Sequence, residues 1–182
     1  MRKHPDVEKI LLTPSQIQRG IRKLAERISK DFAGKNLVLV CILKGGVVFL
    51  SDLIRQLKIP CAVDFMSVAS YSERADSSGV ARLLLDLRGS PEGKDVLLVE
   101  DILDTGLTIR YLLENLKTRN ARSLKVCVLL DKTGDRKVDV EPDYAAFRVP
   151  DKFVVGYGLD YAERYRSLPY IGVLKEQVIS GK

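Results

Sequence analysis

The feature that most restricts the fold is an alternation of apolar, β-rich runs with amphipathic helices. Continuous apolar runs lie at 36–43, 95–99 and 124–130, and a run of this kind is typical of a strand covered on both faces. Helical periodicity follows the first two runs, over 47–57 and 109–117. This alternation predicts an α/β fold, in which a doubly wound, mainly parallel sheet carries helices on both faces.

The two ends of the chain differ from this pattern. Thr13, Pro14 and Gln16 form a helix start with a capping box, and Gly34 is a natural helix stop. From Asp143 the sequence breaks into short pieces rich in Tyr, Pro and Gly. We therefore expect one domain of 182 residues, with a core over about 13–142. A small irregular hood lobe, over about 143–182 together with the N-terminal segment, completes it.

Composition excludes several classes of protein. No apolar run approaches the roughly 18 residues of a membrane span, and the N-terminus shows no apolar signal region, so we expect no membrane contact and a cytoplasmic location. The net charge is +6, but Lys and Arg are scattered, which is not typical of a nucleic-acid-binding tract. Small anionic molecules are the expected partners.

The reactive side chains exclude two kinds of chemistry. His4 is the only histidine, so catalysis by Ser-His-Asp or Cys-His groups within the chain is excluded. The three cysteines, Cys41, Cys61 and Cys127, lie in or beside apolar runs and form no CxxC pair. They are therefore predicted to be reduced packing residues, and not disulfide partners or zinc ligands.

The densest chemistry follows the second apolar run. Glu100, Asp101 and Asp104 come directly after it, and Thr105–Thr108 open the next helix. A helix start with hydroxyls, free N–H groups and a glycine is a phosphate-binding site. Carboxylates beside such a site suit a sugar phosphate with Mg²⁺, which prefers hard oxygen ligands. The alternative is a capped helix with a solvated acidic turn.

The segment VEDILDTGLT, residues 99–108, resembles the signature of the type I phosphoribosyltransferases. Four further segments are similar to the hypoxanthine-guanine members of that family: LKGG at 43–46, Ser70-Tyr71, LLDKTGDR at 129–136 and PDKFVVGYGLDY at 150–161. The resemblance covers nearly the whole chain. It implies a purine salvage enzyme that transfers the phosphoribosyl group of 5-phospho-α-D-ribose 1-diphosphate (PRPP) to hypoxanthine or guanine, giving IMP or GMP and pyrophosphate.

The same resemblance implies roles for the acidic segment. Glu100 and Asp101 are expected to hold the ribose hydroxyls, directly or through Mg²⁺. Asp104 is expected to face N7 of the purine as the catalytic proton acceptor and donor. The 5′-phosphate would be wrapped by the loop that consists of Asp104, Thr105, Gly106, Leu107 and Thr108.

The resemblance assigns the pyrophosphate to three residues. Lys44 and Gly45 would contact it from a loop in which the peptide before the lysine can be cis in the family, and Arg166 would pair with it through its guanidinium fork. Asp160 would bind a second Mg²⁺ on the pyrophosphate. The alternatives are a simple Gly-Gly turn for the loop and a surface ion pair for Asp160 and Arg166.

The purine base is assigned to the region after residue 131. Lys132 would donate to O6 of the base, Phe153 would stack on the ring, and backbone groups around Phe153, Val154 and Asp160 would read its edge. Taken without the resemblance, Lys132 is an ordinary loop lysine and Phe153 an ordinary core aromatic residue.

Three further expectations complete the hypothesis. The polar segment 69–80, with Ser70 and Tyr71, is expected to close over the reactants as a mobile lid. The protein is expected to be a homodimer or homotetramer, with the apolar helix over 47–57 as a candidate contact. Two rival functions stay open: a xanthine-preferring 6-oxopurine phosphoribosyltransferase, and an RNA-binding regulator on the same fold.

Overall fold

The structure is a computed structural model that describes residues 2–69 and 82–181. Its strands are β1 (Val7–Leu12), β2 (Leu37–Leu43), β3 (Ala62–Ala69), β4 (Arg82–Leu85), β5 (Asp95–Leu103), β6 (Ser123–Lys132), β7 (Tyr144–Val149), β8 (Val154–Val155) and β9 (Ile171–Leu174). Its helices are α1 (Pro14–Asp31), α2 (Gly46–Gln56), α3 (Leu107–Lys117) and α4 (Glu176–Ile179).

The strands form two sheets. The larger has the order β4-β3-β2-β5-β6-β7, in which only β4 is antiparallel to its neighbour. This confirms the mainly parallel sheet. The chain leaves β2 toward β3 on one side and later resumes at β5 on the other. The strand order therefore reverses between β2 and β5, which is the position where open parallel sheets bind ligands.

Helices cover both faces of the large sheet, as the alternation predicts. On one face α1 and α2 bury Leu24 and Phe49 against strand residues such as Leu39. On the other face α3 buries Leu112 and Leu116. Burial of these aliphatic side chains, at about 25 cal/mol per Å² of apolar surface, holds the layers together. None of the helices in the described ranges is long and apolar enough to cross a membrane.

Helix α1 begins as predicted and ends early. The Thr13 hydroxyl accepts a hydrogen bond from the N–H of Gln16, and the Gln16 side chain accepts one from the N–H of Thr13. The helix ends at Asp31, three residues before Gly34, which adopts the left-handed φ of +72°. Cys41 and Cys127 are buried, Cys61 is half-buried, and all three are free thiols.

One strand of the large sheet lies beyond the boundary that we expected near residue 143. Residues Tyr144–Val149 form β7, which pairs in parallel with β6 at the edge of the large sheet. Tyr144 is buried, and its hydroxyl donates to Asp31 at 2.8 Å. Because the chain reaches this strand through a loop and not a helix, the pattern of strand and helix did not reveal it.

The remaining strands form the hood. It is a three-stranded antiparallel sheet of order β1-β9-β8, so the N-terminal segment does pair with the end of the chain. The backbone N–H of His4 donates to the hydroxyl of the buried Tyr170 at 2.7 Å. This contact fixes the segment that precedes β1, a strand that the sequence analysis did not identify.

Candidate active site

The carboxyl ends of β2, β5 and β6 open on one edge of the large sheet, and each carries residues of the predicted site. Strands β5 and β6 run further than their apolar cores and end at Leu103 and Lys132. Glu100 and Asp101 therefore lie on a strand and not in a turn, and their side chains are held by the sheet. This extension places charged groups at the end of a buried layer.

Glu100 and Asp101 are adjacent carboxylates at the end of β5, of which Asp101 is buried and Glu100 is half-buried. Asp101 is 6% exposed, and Oε2 of Glu100 is buried without a hydrogen-bond partner among residues 2–69 and 82–181. Burial, then repulsion from Asp101, raises the pKa of Glu100 well above its usual value. Burial also raises the pKa of Asp101, although hydrogen bonds and the charge of Arg166 act in the opposite direction. Such a pair attracts a cation.

Asp104 and Lys132 come together across the ends of β5 and β6. The Lys132 ammonium lies 3.0 Å from Oδ2 of Asp104 and 3.1 Å from Oδ1 of Asp151. Lys132 is 7% exposed. Burial alone would lower its pKa, but the two carboxylates outweigh that effect and raise the pKa. Oδ1 of Asp104 is buried and has no hydrogen-bond partner in the described part of the chain, so it can accept a proton or hydrogen bond from a ligand.

The loop of residues 104–108, called the phosphate loop below, turns sharply into α3. Gly106 adopts φ +82° at the start of the helix and has no side chain with which to cap it, and the Thr105 hydroxyl accepts from the N–H of Leu107 at 3.5 Å. A helix start of this kind presents uncapped N–H groups and a positive dipole end to an anion. The loop and the end of β5 line a cavity of about 200 Å³.

The outer side of the phosphate loop is packed against residues 136–138. The N–H of Lys137 donates to the Thr105 carbonyl at 2.9 Å. A Cβ atom on Gly106 would lie 2.8 Å from the Val138 side chain. Glycine is therefore required at this position both by the left-handed backbone and by the packing.

The loop after β2 holds Lys44 and Gly45 against two other segments. The Leu43–Lys44 peptide bond is cis. A Cβ atom on Gly45 would lie 1.7 Å from Oδ2 of Asp101, and one on Gly158 would lie 2.2 Å from the Gly45 carbonyl oxygen. Only glycine fits at either position, so the loop lies in close backbone contact between Asp101 and the hood.

Arg166 and Lys44 share one carboxylate. The Glu163 side chain accepts from Lys44 at 2.9 Å and from Arg166 at 3.3 Å. Arg166 also pairs with Asp160 at 2.9 Å and donates to the Gly158 carbonyl at 2.8 Å. The predicted pyrophosphate residues are thus brought together, with a carboxylate of the chain between the two cations.

The hood contributes the residues predicted to contact the base. Phe153 is 42% exposed, and its ring meets Tyr161 edge to face with centroids 5.4 Å apart. Val154 is buried in β8, so its side chain packs inside the hood. The Phe153 carbonyl accepts from the N–H of Leu174 at 2.9 Å, which leaves it one lone pair.

The predicted lid falls outside the described residues, and the predicted metal ligands do not converge within them. Ser70 and Tyr71, the predicted lid residues, lie outside the described residues. Across residues 2–69 and 82–181, no group of three or more His, Cys, Asp or Glu side chains converges to hold a metal. Both oxygens of Asp160 have protein partners, since one pairs with Arg166 and the other accepts from the N–H of Glu163.

The structure adds four residues to the site: Gly158, Asp151, Arg136 and Glu163. The first three lie within the segments PDKFVVGYGLDY and LLDKTGDR, so the resemblance pointed to their neighbourhood but not to their contacts. Glu163 lies outside every quoted segment. Its partner Lys44 is 119 residues away in sequence, and a local sequence pattern cannot predict such a contact.

Comparison with known proteins identifies the class. A family model described as the phosphoribosyl transferase domain matches residues 9–162. The chain therefore belongs to the phosphoribosyltransferase family. The matched region contains β2, β5, β6 and almost the whole predicted site.

Individual relatives show which members of the family the chain is similar to. The chain is 48% identical, over 97% of its length and 99% of the relative, to a hypoxanthine-guanine phosphoribosyltransferase of Staphylococcus aureus. It is also similar to the hypoxanthine phosphoribosyltransferase of Trypanosoma cruzi in complex with the product IMP. That structure has a TM-score of 0.91 and 44% identity, with 98% of this chain and 100% of the other covered.

A third set of relatives is much longer. The chain is 46% identical, over 97% of its length, to the bifunctional TilS/HprT protein of Listeria monocytogenes. It spans 27% of the length of that relative.

Proposed function

We propose that this chain is a purine salvage enzyme that transfers the 5-phosphoribosyl group of PRPP to hypoxanthine or guanine and releases pyrophosphate. The observation that carries the proposal is the pairing of the buried Lys132 with Asp104 at 3.0 Å, beside a helix start at which Gly106 provides no side-chain cap. This arrangement puts a proton acceptor and an oxygen-directed cation next to an anion site. IMP and GMP are the corresponding products.

The binding of PRPP follows from the two anion sites. The 5′-phosphate would accept from the N–H groups of the phosphate loop, and the pyrophosphate would pair with Lys44 and Arg166. The ribose then lies between them, against Glu100 and Asp101. This orientation holds C1 of the ribose in place for attack by the base, and positioning of this kind supplies much of the rate enhancement in bimolecular transfers.

The donor set fits Mg²⁺. Glu100 and Asp101 supply hard oxygen ligands, and Oε2 of Glu100 is buried without a partner. Mg²⁺ is commonly held by one or two carboxylates together with substrate oxygens. When bound, it neutralises charge on the departing pyrophosphate. Asp160 would take this role on the other side of the pyrophosphate after exchanging its bond to Arg166.

The transfer itself needs one proton movement. N9 of the purine forms a bond to C1 of the ribose while the bond from C1 to the pyrophosphate oxygen breaks. The base loses its N7 proton to Asp104, whose free Oδ1 is available. Positive charge develops on the ribose ring, as in glycoside hydrolysis, and the carboxylates of Glu100 and Asp101 stabilise it.

Base selection is assigned to Lys132 and Phe153. The Lys132 ammonium donates to O6 of a 6-oxopurine, whereas adenine presents an amino group there and leaves the cation facing a donor. Phe153 has an exposed ring on which a purine can stack. The xanthine-preferring alternative differs only at position 2 of the base, which lies toward the backbone near Val154.

We also propose self-association and a cytoplasmic location. Apolar side chains of α2, β3 and β4 are exposed: Val47, Val48, Ile54, Val63, Phe65, Leu84 and Leu85. An exposed apolar surface of this kind suits a homodimer or homotetramer. The three free thiols are typical of a reducing compartment. Sedimentation of the wild type and of a Phe65→Ser variant would test the oligomer.

The decisive experiment incubates the protein with PRPP, Mg²⁺ and one of four bases, and separates the products by chromatography. The proposal expects IMP from hypoxanthine and GMP from guanine, with little product from adenine, and loss of activity with EDTA. Dominant formation of XMP would support the xanthine alternative. No product from any base, together with salt-dependent RNA binding, would support the regulatory alternative and contradict the proposal.

A further inference from the structure

Arg136 connects the phosphate loop to the end of β6. Its Nε donates to the carbonyl oxygen of Asp104 at 3.0 Å, and its Nη2 donates to Asp131 at 2.6 Å. Nη2 also reaches the Lys132 carbonyl at 3.4 Å, and Nη1 donates to the Val140 carbonyl. One guanidinium therefore contacts the backbone of both Asp104 and Lys132.

The pairing of Arg136 with Asp131 is buried. Asp131 is 1% exposed, and the Arg136 side chain is 13% exposed. A buried carboxylate is tolerated only when it is paired and hydrogen bonded. The planar guanidinium offers five donors in a fixed geometry, and here they are distributed over a carboxylate and three carbonyl groups. The orientation of Arg136 is thus set by four partners at once.

Arg148 offers a natural comparison. It also approaches Asp131, at 3.6 Å, but its side chain is 82% exposed. No hydrogen bond joins it to the phosphate loop among the described residues. Arg148 therefore shares the charge partner of Arg136 without sharing its contact to Asp104.

We infer that Arg136 is a positioning residue: by holding the carbonyl of Asp104 and the end of the strand that carries Lys132, it sets the separation of these two side chains. The inference rests on the proposed function, because the aligned groups are the proposed proton acceptor and the base-selecting cation. A shift of about 1 Å in such groups can lower a rate by about 100-fold. Arg136 itself touches no reacting atom.

The test compares Arg136→Lys, Arg136→Met and Arg148→Met with the wild type. Lysine keeps a cation beside Asp131 but loses the planar fork, whose separate nitrogens contact Asp131, the Asp104 carbonyl and the Val140 carbonyl at once. We expect Arg136→Lys to retain a melting temperature near that of the wild type and to lose kcat by about 10- to 100-fold. Arg136→Met should have a lower melting temperature and a lower kcat than the wild type, and Arg148→Met should match the wild type in both. A wild-type kcat in Arg136→Lys, or an equal loss in Arg148→Met, would overturn the inference.

A second readout is independent of catalysis. Amide hydrogen exchange at residues 104–108 in the free protein should rise in Arg136→Lys and stay unchanged in Arg148→Met. An inactive wild type would contradict the proposed function, while this exchange difference would still report whether Arg136 holds the loop. Unchanged exchange in Arg136→Lys would overturn the positioning role whatever the activity.

Discussion

On the side of the site that we propose for the 5′-phosphate, the proposed binding groups are backbone N–H groups, and the loop that carries them is packed from outside. Residues 136–138 hold this loop through the Asp104 and Thr105 carbonyls. On the side that we propose for the pyrophosphate, the proposed binding groups are the side chains of Lys44 and Arg166. Glu163 occupies both of them, and its side chain is 62% exposed.

The difference shows two ways of preparing a site for an anion. A backbone site needs no counter-charge, because its partial charges are fixed by the helix and the fold holds its geometry. Two cations held a few ångströms apart repel each other, so a carboxylate of the chain can pair with them until the substrate arrives. We therefore propose that the first side is preformed and that the second exchanges one anion for another.

The largest effect is expected on the preformed side. Asp104→Asn keeps the shape of the side chain but removes the proton acceptor, so kcat should fall by about 100-fold or more, while the Kd for PRPP changes little. Asp135→Asn is the matched control, because Asp135 lies 3.9 Å from Lys132 but its side chain is 58% exposed. Near-normal turnover in Asp104→Asn would contradict the assignment of Asp104 as the proton acceptor.

The next effect concerns selection of the base. Lys132→Ala should reduce the ratio of kcat/KM for hypoxanthine over adenine by about 10- to 100-fold, the usual value of a hydrogen bond to a charged group. Steady-state kinetics with both bases measures it. Lys152→Ala, which alters an exposed lysine of the same region, should leave the ratio unchanged. An unaltered preference in Lys132→Ala would assign selection to other groups.

The buried carboxylates predict a stability effect with a definite sign. Because the pKa of Glu100 is raised in the folded state, its contribution to stability is present below the unfolded value of about 4.3. That contribution is lost as the pH rises through the raised folded value. Glu100→Gln should therefore raise Tm at neutral pH, by about 2–4 °C for each kcal/mol gained, and lower activity.

Measuring Tm over a range of pH separates the effect of the raised pKa of Glu100 from the general effect of removing a carboxylate. The Tm of the wild type should fall more steeply than that of Glu100→Gln between about pH 5 and 8. Glu92→Gln, at an exposed position, serves as the control for loss of a carboxylate. Parallel Tm curves for the wild type and Glu100→Gln would contradict the assignment of a raised pKa.

The smallest expected effect concerns the side of the site that we propose for the pyrophosphate. Glu163→Gln removes the negative charge that pairs with Lys44 and Arg166, so pyrophosphate with Mg²⁺ should bind about two- to fivefold more tightly, as expected for exposed ion pairs. Calorimetry measures the Kd, and Glu176→Gln in α4 is the control. Weaker binding in Glu163→Gln would show that Glu163 orients the cations and does not compete for them.

Much of the framework was predictable because its causes are local. The capping box at Thr13 and the apolar runs of β2, β5 and β6 depend on neighbours in sequence, and the structure has them where the patterns indicated. Strand β7 was missed because a loop replaces the helix that normally precedes a parallel strand. Its residues therefore had no periodic signal before them.

Only those site residues that lie in segments resembling the family could be predicted from the sequence. The acidic segment and Lys132 lie in such segments, and the structure brings Asp104 and Lys132 to 3.0 Å. The contacts of Glu163 and Arg136 depend on how distant loops meet. Such contacts cannot be predicted from composition, because surface glutamates and loop arginines are common in any sequence.

The most direct test of this comparison is a crystal structure of the protein with a non-reactive PRPP analogue and Mg²⁺. We expect residues 104–108 to keep their backbone positions within about 0.5 Å. We also expect Glu163 to move beyond hydrogen-bond reach, about 3.5 Å, of Lys44 and Arg166, which then contact the pyrophosphate. A rearranged phosphate loop, or a Glu163 that still pairs with both cations beside the bound analogue, would contradict it.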